Sequence, residues 1–92
     1  TRSNFPAAAD GHVAGGDVHF LLFLDRREAE DASGADAALA KAREAYVEAS
    51  NKVPEAAAPW ERLGRCAEWA GKPEEAAKNY AEALARDPGS GA

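Results

Sequence analysis

The sequence predicts an all-α fold of antiparallel helix-turn-helix pairs, and three observations carry that reading. Ala42, Tyr46, Glu48, Ala49 and Pro54 recur 34 residues later as Ala76, Tyr80, Glu82, Ala83 and Pro88. A fixed period near this length, with an aromatic, small residues and a terminal proline, is the mark of a stacked two-helix unit. Alanine, Glu, Lys, Arg and Leu are abundant, and these side chains lose little rotamer freedom in a helix. Apolar or small residues also recur at helical spacing between Gly and Pro stops.

The 92 residues bound one small domain, since a chain of this length buries a limited fraction of its surface. Residues 1–16, with Pro6, Gly11, Gly15 and Gly16 and no sustained apolar period, read as a flexible tail or linker ahead of a helical domain over 17–90. Asp17 is placed to cap a first helix reaching about Asp31. Its first half, Val18 to Leu24, is apolar on all sides, and its second half is almost wholly charged. A short apolar run does not distinguish a strand from a buried helix; the helical surroundings favour helix. Ser33, Gly34 and Asp36 then punctuate the chain. A second helix follows to Lys52, with Leu39, Ala42, Tyr46, Ala49 and Val53 in step and Pro54 as its stop.

The third helix is expected at 57–70, with Trp60, Leu63, Ala67 and Ala70 on one face and Gly71 as its left-handed end. The fourth begins at Pro73, whose missing N–H is not needed there, and Glu74 and Glu75 complement the positive end of the helix dipole. Arg86 suits the last turn, and Asp87 to Gly91 close the ordered chain.

Several function classes lose support on composition. A net charge of −5 without a concentrated run of Lys and Arg disfavours a nucleic-acid backbone as partner. The longest apolar run, Phe20 to Leu24, falls far short of the roughly 20 residues of a membrane span. Cys66 is the one cysteine, so no intramolecular disulfide forms, and inside a helix it reads as a small apolar filler. His12 reads as a loop residue and His19 as a surface or packing residue, neither near a metal-ligand pattern. No nucleophile-base pair and no Gly-rich phosphate loop is present, so neither an enzyme nor a cofactor is expected. The balance fits a soluble, cytoplasmic chain. Thr1 in place of Met, with no charged-then-apolar leader, suggests a processed product or an excised fragment.

Trp60, Leu63, Gly64, Ala67, Ala76, Tyr80, Ala83 and Pro88 together resemble the tetratricopeptide repeat signature at the spacing that family uses. The resemblance covers about 57–90 in full and a divergent preceding repeat at about 17–54. It implies a short α-solenoid of stacked helix-turn-helix pairs. Stepping back 34 residues from Trp60, Leu63 and Gly64 reaches Arg26, Ala29 and Glu30, which cannot pack alike; a step of 40 reaches Phe20, Phe23 and Leu24. The first repeat is therefore expected to hold about six extra residues between its helices, as a longer second helix, a longer turn, or both.

The resemblance further implies a scaffold that binds a peptide or partner protein along a concave face lined by the first helix of each repeat. The candidates on the third helix are Ala58, Glu61, Arg62, Arg65, Glu68 and Trp69. Glu61 and Arg65 stand four apart, where a helix pairs opposite charges. Some members of the family grip a C-terminal carboxylate with Lys and Asn; the positions here hold Ala58, Glu61, Arg62 and Arg65, so the full clamp is absent. Trp69 is expected either against the turn at Gly71 or as an exposed anchor. Two units leave ends to cover, so the alternatives are a homodimer through Phe20, Leu21, Phe23 and Leu24, or a capping fragment of a longer repeat protein.

Overall fold

In the computed structural model, which describes residues 7–87, the chain forms four α-helices and, among the described residues, no strand. They are α1 (Ala7–Glu28), α2 (Ala32–Lys52), α3 (Ala58–Trp69) and α4 (Pro73–Arg86). α1 packs along α2 and α3 along α4; α3 rests on α2 and also touches α1. Val18 to Leu24 is helical throughout, which settles the choice between helix and strand.

The expected tail over 1–16 is corrected from Ala7 onward. α1 starts there, ten residues before Asp17, so Asp17 lies inside the helix rather than capping it, and His12 is helical rather than in a loop. Residues 1–6 lie outside the described residues. Of the glycines that read as breakers, Gly15 and Gly16 have different surroundings. A Cβ on Gly16 would fall under 3.0 Å from the Tyr46 ring, whereas a Cβ on Gly15 meets nothing within 4 Å. Gly16 is therefore a contact surface: it lets the ring of α2 lie against the backbone of α1.

The second hairpin repeats this contact, because a Cβ on Gly64 would lie 2.7 Å from Cε1 of Tyr80. The equivalence of Gly16 with Gly64, and of Tyr46 with Tyr80, sets the register between the two hairpins and corrects the one based on Phe20, Phe23 and Leu24. From Gly16 α1 runs 12 residues to Glu28, while from Gly64 α3 runs five to Trp69. From Ala32 α2 runs 14 residues to Tyr46, while from Pro73 α4 runs seven to Tyr80. The first hairpin thus exceeds the second by seven residues in each helix, not by six in all. Phe23, Ala35 and Ala38 are buried in the added length, and Leu24 packs against them.

The turns at the tips of the hairpins are alike. Asp31 N donates to Arg26 O at 2.9 Å and Glu30 N to Arg27 O at 3.0 Å; Lys72 N donates to Ala67 O at 2.9 Å and Gly71 N to Glu68 O at 3.1 Å. This pair of bonds closes a helix on a left-handed residue, here Gly71 at φ 77° and Glu30 at φ 61°. Asp31 also accepts from Gly34 N at 3.0 Å, capping α2 earlier than the Ser33-Gly34 punctuation suggests. α4 begins and ends as its Pro73 and Arg86 signals indicate. Pro88 lies outside the described residues.

Val13, Phe23, Leu39, Tyr46, Leu63 and Cys66 make one core with alanines 35, 38, 42 and 49. The alanines allow close helix approach, and the few large side chains fill what remains. Trp60 is only half buried; its ring packs against this core and is covered by the Arg86 guanidinium, 4.6 Å from the ring centre. Arg86 also donates to Pro54 O at 2.6 Å and to Glu82 Oε1 at 2.7 Å, which pins the end of α4 to the connection between α2 and α3.

The adjacent glycines predict opposite responses. Gly15→Ala raises stability by about 0.5–1 kcal/mol, because alanine restricts the unfolded chain and meets nothing in the fold. Gly16→Ala lowers it by about 1–3 kcal/mol through overpacking against Tyr46. Denaturant midpoints of the two variants beside the parent chain check the signs.

Candidate interaction face on α1 and α3

Asp17 of α1 is the hub where three helices meet. Its Oδ1 accepts a hydrogen bond from Nε of Arg62 on α3 at 3.1 Å and another from the Tyr46 hydroxyl on α2. Arg62 also donates from Nη1 to Glu61 Oε1 at 3.3 Å. Beside this network Asp17, Phe20, Tyr46, Arg62 and Arg65 line a small cavity of about 40 Å³ between α1 and α3. In the glycine register Asp17 and Arg65 are equivalent residues, each directly following the glycine that meets a tyrosine ring. The sequence reading missed Asp17 and Tyr46 as members of this face; the signal for both was the glycine before Asp17.

The network is electrically tight. Burial holds the Tyr46 hydroxyl well above its ordinary range, and the hydrogen bond to Asp17 and its charge push the same way. Burial opposes the charge on Arg62, yet the hydrogen bond to Asp17 and that carboxylate's charge outweigh it and raise the pKa. Cys66 is fully buried in the core beneath, and burial pushes its thiol up to about 11 against a smaller opposing pull from Arg43. A thiol held neutral in this way is a packing group.

The five expected partner-binding residues fall into two groups. Glu61 and Arg62 are drawn into the network, and Glu61 meets Arg62 rather than Arg65. Glu68 accepts from the Tyr80 hydroxyl at 3.0 Å, and burial with this bond pushes the Tyr80 pKa up to about 12. Arg65 remains exposed at the mouth of the cavity. Trp69 is 44% exposed. It stands edge-on to Phe23, with ring centres 5.5 Å apart and planes at 74°, and the Arg27 guanidinium lies 4.4 Å from its centre. The longer first hairpin supplies both of these supports.

The four residues expected to form a self-association surface do not share one. Phe23 is 3% exposed and belongs to the core, and Phe20 and Leu24 are partly buried against it. Leu21 alone of the four faces outward, beside Val18 and Leu22. The reason is periodicity: a run that is apolar all round divides between an inner and an outer face once one side is packed.

Compared with protein-family models, curated proteins and solved structures, the chain matches none. No described helix is long and apolar enough to cross a membrane. Among the described residues no cluster of His, Cys, Asp and Glu is placed to hold a metal ion.

Two tests follow from the network. Asp17→Ala leaves the Tyr46 hydroxyl without its acceptor and Arg62 with Glu61 alone, and costs about 1–3 kcal/mol. The triple variant Asp17→Ala, Tyr46→Phe, Arg62→Met removes all three polar groups and costs less than the sum of its parts, which a set of denaturation curves reads directly. In alkali the folded chain keeps its Cys66 and Tyr80 protons to higher pH than the unfolded chain. Stability is therefore full below about pH 9 and falls as pH rises toward 11 and 12. Cys66→Ala flattens the first part of that decline in the urea midpoint.

Proposed function

We propose that the chain is a protein-interaction module of the tetratricopeptide type, which holds a peptide or a segment of a partner protein along the face shared by α1 and α3. The observation behind this reading is the pairing of an exposed cation with a braced aromatic: Arg65 at the mouth of the small cavity and Trp69 set against Phe23 and Arg27. A half-exposed Trp held by its neighbours loses little freedom when a partner covers it, and Trp and Arg are the side chains that dominate binding energy at interfaces. The repeated tyrosine-on-glycine contact and the contact of α1 with α3 support the family likeness. The face suits a segment with an apolar anchor for Trp69 and a carboxylate for Arg65. Such a module performs no chemistry of its own.

Panning a random peptide library on the chain tests the reading. Enriched peptides combine an aromatic or aliphatic residue with an acidic one. The variant Arg65→Ala, Trp69→Ala, with unchanged circular dichroism, loses about tenfold or more in affinity for them. Equal binding by the variant would move the binding face elsewhere.

A further inference from the structure

The register fixed by Gly16 with Gly64 and by Tyr46 with Tyr80 also says what each outer face of the molecule resembles. Within the chain α3 rests on α2, and Leu63 and Cys66 of α3 share the core with Tyr46 and Ala49 of α2. The residues of α1 equivalent to Leu63 and Cys66 are Gly15 and Val18. Neither is covered: a Cβ on Gly15 would meet nothing within 4 Å, and Val18 is 57% exposed. One turn on, Leu21 and Leu22 are 65% and 40% exposed. With Ala14 they form an outward strip of α1 that carries no charge.

The other end of the molecule shows the converse. Ser50 of α2 is buried, and its equivalent on α4 is Leu84, which is 47% exposed. Ala77 and Ala81 beside it are exposed and uncharged, and Tyr80, the equivalent of the buried Tyr46, is only partly buried. α1 therefore presents the kind of face that α2 covers on α3, and α4 leaves open two positions, Tyr80 and Leu84, whose counterparts on α2, Tyr46 and Ser50, are buried. Small residues at both ends permit the close helix approach seen in the interior.

We propose that the outer strip of α1 in one copy of this chain docks on the Leu84 flank of α4 in a second copy, continuing the packing of α3 on α2 from one molecule to the next. The contact joins two different surfaces, so it does not close on itself and adds copies end to end. It is apolar at its centre and weakly sensitive to salt. It leaves the face with Arg65 and Trp69 free, so self-association and partner binding are separate properties with separate failures.

Sedimentation equilibrium on the full chain tests it, from micromolar to near-millimolar concentration. The parent chain shows a mass that climbs with concentration past that of a dimer. Val18→Glu with Leu21→Glu blocks one end, and Leu84→Glu blocks the other; each position is exposed, and circular dichroism verifies the fold. Each variant alone is monomeric, with association weakened by about tenfold or more. An equal mixture of the two forms a dimer and nothing larger, because each supplies the end the other lacks. A monomeric parent chain overturns the proposal. So does a mixture that stays monomeric, or a Leu84→Glu variant that still dimerises, which would mean α1 packing on α1.

Discussion

The structure depends on a tyrosine ring lying close against a glycine of the facing helix. Tyr46 on Gly16 and Tyr80 on Gly64 set the separation of the helices in each hairpin. In the first hairpin that contact also delivers the phenol to Asp17, and Asp17 in turn holds Arg62 of the next hairpin. One aromatic therefore links the inside of a hairpin to the join between hairpins. Its hydroxyl is the point at which an otherwise alanine-rich interior becomes polar. A polar join of this kind specifies one arrangement, since any slip leaves a buried donor without its acceptor.

The two hairpins differ in what meets the tyrosine hydroxyl. Tyr46 finds a carboxylate on α1 that is shared with an arginine from the neighbouring hairpin. Tyr80 finds Glu68 on its own hairpin. The second site is the more open of the two, as its exposed surroundings on α3 and α4 indicate. The half-buried Trp60 shows the same economy: its ring is finished by the stem and guanidinium of Arg86 rather than by further apolar side chains. In a chain with few large hydrophobic residues, long charged side chains complete the packing.

The second hairpin was readable in advance because its signals are local. Pro73, the paired glutamates, Arg86 and Gly71 each act within one turn, and together they place α4 at its observed bounds. α1 was not readable in the same way. A glycine in a helix costs about 1 kcal/mol relative to alanine, so Gly11, Gly15 and Gly16 look like the end of order until the partner ring is known. Tyr46, 30 residues away, reverses the meaning of Gly16. The candidate face suffered from the same distance: Arg62 and Trp69 were visible as residues, but their supports, Asp17, Phe23 and Arg27, all lie on α1.

The seven-residue difference between matching helices has a geometric meaning. Seven residues advance a helix by two turns less about 20°, so an insertion of that size returns every following side chain almost to its original bearing. Made in only one helix, it would leave two turns without a partner. Made in both, it lengthens the hairpin while the contact at its base and the turn at its tip keep their form. Hairpin length is thus a nearly free variable, adjustable in steps of two turns, and each step adds a fresh stretch of flank above a conserved seat. Phe23 and Arg27, which brace Trp69, stand on such a stretch.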